Sequence, residues 1–305
     1  IWQTVWLEAV GTSYVESFSV VPDPEHARVL IEATVNGADP DLELKAEAFA
    51  DGKRMGADYA AGTWRNRRLV LELKKKRLWE PGAPFLYDLT FTLTSRGKVV
   101  DDVKSYFGLR SVAIEGRRIL INGKPVFQRT ILDQGFSPDG IWTAPTDADL
   151  KGDIERSMAC GFNGARLHQK VFEPRFLYWA DKLGYLVWGE FPNWGYNYRP
   201  EGYAPYVTEW TEILLRDRNH PSIIGWCPFN ETPVASGEIQ QVVWNVTKAV
   251  DPTRPVLETS GWSHTLPHPE VRDAHDYDGN PESLRKRWEE YFSGAATVAP
   301  MPPRY

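Results

Sequence analysis

The chain has 305 residues, long enough for two ordinary domains with sizeable cores, and its 35 Lys and Arg against 41 Asp and Glu give a formal net charge of −6. That balance speaks against a polyanion, so no nucleic acid partner is expected, and no apolar run is long enough for a membrane partner. The two cysteines, Cys160 and Cys227, make neither a disulfide framework nor a metal site; one closes a helix and one lies in a strand, so both are expected as buried thiols.

Residues 1–12 read as a strand-like leader. From about Tyr14 to Phe107 the chain alternates in the manner of short strands: Ser17–Val21, Ala27–Val35 ending at Asn36-Gly37, and Leu42–Phe49 leading into Asp51-Gly52. Arg68–Leu73, Tyr87–Thr94 and, after Arg96-Gly97, Val99–Tyr106 follow. Six or seven strands at this spacing predict an antiparallel, immunoglobulin-like sandwich over about 13–110. The basic run Lys74-Lys75-Lys76-Arg77 is a solvated strand end, and the carboxylates here lie in turns or at alternate, solvent-facing positions.

After Ser111 short apolar runs alternate with helical segments, the pattern of parallel β/α units. Val126–Thr130 is the first predicted strand. Thr146 opens a helix with a capping-box pattern; Leu150, Ile154 and Met158 share its face and Gly161 ends it. Gly164–Leu167 is the second strand, followed by a helix from Pro174 to Gly184, and Tyr185–Gly189 is the third. A helix marked by Val207, Trp210, Ile213 and Leu214 leads to the fourth strand, Ile223–Cys227, whose uniformly apolar run is that of a buried parallel strand. A helix carrying Ile239, Val243 and Val246 precedes the fifth strand, Val256-Leu257-Glu258; Val271–Ala274 is the sixth, and Pro281 opens a last helix through Leu284, Trp288 and Tyr291. Six β/α units over about 195 residues fall short of the eight, in about 250 residues, that close a barrel, so residues 111–305 read as an incomplete TIM barrel, cut at the end of the chain. The fold class is thus multidomain β plus α/β.

The fourth strand ends on the polar pair Asn230-Glu231. In a β/α barrel, catalytic groups sit at the carboxyl ends of strands, and partial burial is what lifts a carboxyl group toward the working pH of a general acid. Capping the next helix or pairing with an arginine would account for the position of Glu231 equally well. Sequence in several places resembles glycoside hydrolase family 2, the group of β-galactosidases, β-glucuronidases and β-mannosidases. Ile1–Glu8 is similar to the closing strand of the family's N-terminal sugar-binding-like jelly roll, Leu78–Leu89 to the end of its immunoglobulin-like domain, and Phe107-Gly108-Leu109-Arg110 with Leu120–Pro125 to the opening of its barrel. Gly161–Arg166 resembles its second barrel strand and Asn219–Glu231 its fourth.

The resemblance implies a retaining, exo-acting β-glycosidase, β-galactosidase-like, whose partner is a carbohydrate substrate, a β-glycoside. In that family two glutamates do the chemistry. Glu231 matches the general acid/base on the fourth strand, and the nucleophile belongs to a seventh strand, expected beyond Tyr305. Asn230 matches the partner of the sugar 2-hydroxyl, and Arg166 an arginine supporting the nucleophile. His168 lies two residues on and shares its side of the strand, although the family spacing commonly puts this histidine one residue later. Asp133 suits a sugar hydroxyl or the Gln134-Gly135 turn equally. Trp262 and His264, His275 and Tyr277, and Trp226 suit sugar contacts or core packing equally. Glu190 reads as an ion-pair partner, and Glu258 could be a structural partner inside the barrel; nothing marks Asp276 or Asp278 as a nucleophile. No phosphate loop, dinucleotide fingerprint or Cys/His cluster occurs, so no cofactor and no metal are expected. A homo-oligomer is left open, as is the alternative of a catalytically incomplete carbohydrate-binding module.

Overall fold

The computed structural model describes residues 3–261 and 263–294. Seven strands build the sandwich: β1 (Tyr14–Asp23), β2 (Arg28–Asn36), β3 (Leu42–Ala50), β4 (Lys53–Ala61), β5 (Asn66–Glu72), β6 (Tyr87–Ser95) and β7 (Lys98–Phe107). One antiparallel sheet runs β1-β2-β5 and the other β4-β3-β6-β7. Alternation drives both: Val29, Ile31, Ala33 and Val35 of β2, and Leu42, Leu44, Ala46 and Ala48 of β3, are buried in the shared core while their neighbours face outward. The sequence pattern missed β4, whose residues are largely exposed or half-exposed and carry no clean alternation. Residues 4–12 form no strand; Val5, Trp6, Leu7 and Val10 are exposed, and no neighbouring strand takes up their backbone.

A small antiparallel sheet of β8 (Val112–Glu115), β9 (Arg118–Ile121) and β10 (Lys124–Pro125) leads into the barrel. Four parallel strands follow in chain order: β11 (Thr130–Asp133), β12 (Gly164–Leu167), β13 (Leu186–Glu190) and β14 (Ile223–Cys227). The first begins where the predicted Val126–Thr130 ends, because only from Thr130 does the backbone pair with Gly164 onward. Helices α1 (Asp147–Ala159), α2 (Pro174–Leu183), α3 (Pro200–Asp217) and α4 (Gly237–Val250) cover the outer face of the sheet, packing Phe176, Leu177, Trp210 and Val243 against Val187, Ile223 and Trp226. Thr146 makes the predicted capping box, accepting from Asp149 N while the Asp149 carboxylate accepts from Thr146 N. On α1 the buried face carries Leu150, Ile154 and Ser157, the last hydrogen-bonded to Tyr185 Oη at 2.7 Å; Met158 is exposed. Cys160 is exposed too, at the end of α1, and only Cys227 is the buried thiol expected of both.

The predicted fifth strand is reduced to two isolated parallel bridges, Trp226 with Val256 and Asn230 with Ser260, and Val271–Ala274 is extended without strand pairing. A strand is defined by its partners, and among the described residues these segments have too few. The barrel is accordingly partial: four strands and a bridged fifth segment rather than six β/α units. Helix α5 (Pro281–Phe292) forms as predicted, capped by Asn280, but buries none of its residues.

The sandwich is joined to the barrel at the root of β14. Arg110 donates from Nε to Pro221 O at 2.6 Å and from Nη2 to Ile223 O at 2.8 Å. Arg254 reaches the same Ile223 carbonyl at 2.6 Å from the other side, and its charge is met by Asp251 at 2.5 Å. Trp79, fully buried, donates from its ring to Asp181 O at 2.8 Å.

Candidate active site

The chain past β14 is held as a ladder by the 255–260 segment. Leu257 N donates to Trp226 O at 2.9 Å, Ser260 N to Phe229 O at 2.9 Å, and Glu231 N to Ser260 O at 2.8 Å. Asn193, in the loop after β13, accepts from Asn230 N at 3.0 Å and donates to Asn230 O at 3.1 Å. Pinned on both sides, the backbone turns at Glu231 into the left-handed region, φ +51°. This conformation is uncommon outside glycine and persists where the surroundings over-determine it.

The turn aims the Glu231 side chain, 22% exposed, at the segment after residue 270. Its Oε1 lies 2.6 Å from His275 Nδ1 and accepts from Tyr277 Oη at 2.8 Å. Asn230 points the other way and is buried; Arg166 Nη1 donates to Asn230 Oδ1 at 3.1 Å and to Glu190 Oε2 at 2.8 Å. The other Glu190 oxygen takes His168 Nδ1 at 2.8 Å and Gln169 N at 3.0 Å. Burial pulls the Arg166 guanidinium down, but the Glu190 carboxylate outweighs it and holds it above its ordinary range. Asn230 Nδ2 is buried without an acceptor among the described residues.

Behind Glu231 stands a second polar group. His264 sets Nδ1 3.0 Å from Glu258 Oε1 and Nε2 2.9 Å from Asp273 O. Burial opposes its charge, but the hydrogen bonds to Asp273 and Glu258 prevail and push it up to about 10. Burial likewise pushes the Asp273 carboxyl up, and His264, Ser260 and Gly261 together pull it below its usual range. Ser260 Oγ donates to Asp273 Oδ2 at 2.6 Å and lies 2.9 Å from His275 Nε2.

Arg166, His168 and Asn230 are therefore brought together through Glu190, and Glu231 and Tyr277 meet with His275 in a second group. His264 is not presented to the cleft, because both its ring nitrogens are taken by Glu258 and Asp273. Asp133 ends β11 and accepts from Gly135 N at 2.8 Å, the turn-fixing contact; burial pushes its carboxyl up. Trp226 is a core residue, fully buried and donating to Asp251 Oδ2 at 2.8 Å. Trp262 lies outside the described residues. Asp276 and Asp278 both bind Arg287, at 2.7 and 2.6 Å. Ser260, Asp273 and Asn193 were not singled out from the sequence. The alternation Asp273-x-His275-x-Tyr277 was the available signal, since in an extended segment it puts three polar side chains on one side. Trp194, 57% exposed and edge-on to His168 at 5.1 Å between ring centres, was likewise missed and offers an aromatic face beside the network.

A cavity of about 670 Å³ opens inside the strands. Arg166 and Asp273 line one part and Ile119, Phe127, Trp188 and Leu257 the rest, but Glu231 does not. Its mainly apolar wall marks it as barrel interior.

Residues 13–110 match the family described as glycosyl hydrolases family 2, and residues 112–293 match its TIM barrel domain. The chain is 27% identical over 274 residues to a β-galactosidase of Lactococcus lactis, covering 86% of this chain and 26% of that protein. It is 25% identical over 272 residues to a β-glucuronidase of Paenibacillus borealis, covering 80% of this chain and 43% of that one. Among solved structures, a β-D-glucuronidase of Dictyoglomus thermophilum superposes with a TM-score of 0.70 at 25% identity, over 80% of this chain and 43% of that chain. The chain thus spans between about a quarter and two-fifths of the length of these relatives.

Proposed function

Since this chain belongs to glycosyl hydrolases family 2, we propose that it forms the sandwich and part of the catalytic barrel of a retaining, exo-acting β-glycosidase, with Glu231 as its general acid/base. The observation that carries this reading is the placement of Glu231: at the carboxyl end of β14, partly exposed, with one oxygen held by His275 and Tyr277. Such a carboxyl group can protonate a leaving oxygen and later take a proton from water. Asn230 is the proposed contact to the sugar 2-hydroxyl, and its unpaired Nδ2 supports that role. Arg166 and His168, tied through Glu190, orient Asn230 and shape the cleft.

Retention needs a second carboxylate about 5–5.5 Å from the first. Glu190, Glu258 and Asp273 are each engaged by cations or hydrogen-bond donors, and none is assigned as the nucleophile, which by the family resemblance belongs to a seventh barrel strand that the described residues do not include. The β-galactosidase and β-glucuronidase relatives make galactosides and glucuronides the first substrates to try.

The test is Glu231→Gln in the intact protein, assayed on chromogenic and alkyl β-glycosides. Turnover of alkyl glycosides should fall by about 10²–10⁴-fold, with a much smaller loss on dinitrophenyl glycosides, whose leaving group needs no proton. Undiminished turnover of an alkyl glycoside would remove Glu231 from the reaction. Should the unmodified polypeptide bind simple β-glycosides calorimetrically and hydrolyse none, it is a carbohydrate-binding module; the engagement of the neighbouring carboxylates is what favours that second reading.

A further inference from the structure

Hydrogen-bond bookkeeping behind Glu231 fixes where protons sit. Glu258 Oε1 can only accept, and at His264 Nε2 the Asp273 carbonyl, at 2.9 Å, is nearer than the Asp273 N–H, at 3.3 Å, so His264 donates from both nitrogens. Asp273 accepts from Gly261 N at 2.8 Å and from the Ser260 hydroxyl at 2.6 Å. Ser260 has one O–H, and Asp273 takes it. Toward its other neighbour, His275 Nε2 at 2.9 Å, Ser260 has only lone pairs, so Nε2 must be the donor. A neutral ring protonated at Nε2 has a bare Nδ1. That Nδ1 lies 2.6 Å from Glu231 Oε1, which as a carboxylate oxygen can also only accept. Two acceptors at this distance require a proton between them. Tyr277 does not supply it, because its own O–H is directed to Oε1 at 2.8 Å.

We propose that Ser260 and Asp273 are positioning residues for Glu231: they fix His275 in its Nε2–H form, so that Glu231 and His275 hold one proton between them, the proton the acid delivers. The proposal rests on the assignment of Glu231 as the acid. On delivery the Glu231 O–H bond breaks and an O–H bond forms on the leaving oxygen. That oxygen keeps the electron pair of the broken glycosidic bond, while the nucleophile takes the anomeric carbon. Glu231 is left a carboxylate and His275 a neutral ring still protonated at Nε2; the attacking water returns a proton in the second step. Without the Ser260 hydroxyl the ring is free to carry its proton on Nδ1 and donate it to an ionised Glu231, and the pair then holds no proton for the leaving group. Among the described residues the charged and titratable groups about this pair include Tyr277, Asp273 behind Ser260, and His264 and Arg166, which both act on Asp273.

The experiment uses the intact protein with Ser260→Ala and Ser260→Thr, alongside Glu231→Gln, on alkyl and dinitrophenyl β-galactosides and β-glucuronides. Ser260→Ala is expected to lower kcat/KM on the alkyl glycoside about tenfold more than on the dinitrophenyl glycoside, and Ser260→Thr, which keeps the hydroxyl, to restore the ratio. Long-range proton–nitrogen spectroscopy of the imidazoles should place the His275 proton on Nε2 in the unmodified protein and on Nδ1 in Ser260→Ala. Equal losses on both substrates, or a wild-type ring protonated at Nδ1 alone, overturn the proposal; the second criterion decides the matter even if Ser260→Ala fails to fold. A Glu231→Gln enzyme that changes the alkyl-to-dinitrophenyl ratio while Ser260→Ala leaves it alone refutes the proposal and keeps the acid assignment. No change in that ratio with Glu231→Gln refutes the assignment itself.

Discussion

His264 shows how a single side chain can look like a ligand-binding residue and be a buried cation instead. It follows the fifth barrel segment at a position suited to a cleft, yet Glu258 and Asp273 occupy both its nitrogens. Its folded-state pKa, raised from 6.5 to about 10, fixes the sign of its contribution. A raised pKa stabilises the fold fully below about 6.5, and the stabilisation is lost as pH rises toward about 10. Stability measured by urea unfolding should therefore decline across that window by on the order of a few kcal/mol. In His264→Gln the curve should be flatter there; an unchanged slope would mean that His264 is not charged in the fold. At this scale the sequence was legible where a polar pair follows a strand end, since Asn230 and Glu231 do follow β14. It was not legible where partners come from distant segments: nothing near His264 or Ser260 in the chain announces Asp273, 9 and 13 residues away.

Strands β13 and β14 fit each other through a pair of reciprocal tryptophan–glycine contacts. The two sequences run Trp188-Gly189 and Gly225-Trp226, and in register Trp188 faces Gly225 while Gly189 faces Trp226. A Cβ on Gly225 would come within 2.3 Å of the Trp188 ring, on the inner side, and one on Gly189 within 2.6 Å of the Trp226 ring, on the helix side. Each indole fills the space its neighbour lacks. Gly225→Ala should therefore destabilise the protein by about 1–3 kcal/mol, read as a lower urea midpoint at unchanged slope, since neither ring has room to withdraw in a packed core. A neutral effect would mean that the ring yields. Strands β12, β13 and β14 and helices α1 to α4 were legible within a few residues, because apolar period and caps are local. The fifth and sixth barrel strands were not confirmed as strands: apolar composition marks a candidate, but strand pairing is made by neighbours. β4 was missed for the complementary reason, its pairing with β3 being secure although half its residues face water.

Across the whole molecule, the same strand that presents Glu231 at one end is fastened to the sandwich at the other. Arg110 and Arg254 converge on the Ile223 carbonyl, and Trp79 is fully buried at the contact between the domains. Burial pushes the Arg110 guanidinium well below its ordinary range, so parting the domains would expose groups arranged only for contact. Calorimetry of the intact protein should show sandwich and barrel melting in one transition; two resolved transitions assigned to them would show that the contact is incidental. The order of the domains, and much of each, was legible from the change in pattern near Ser111. The clamp was not, since Arg110 and Ile223 are 113 positions apart. The clamp also bears on heredity. A recombination between the two coding segments would hand one descendant a barrel strand with an unmet carbonyl at its root, and the other a buried arginine with nothing to hold. Sandwich and barrel therefore have to be inherited together.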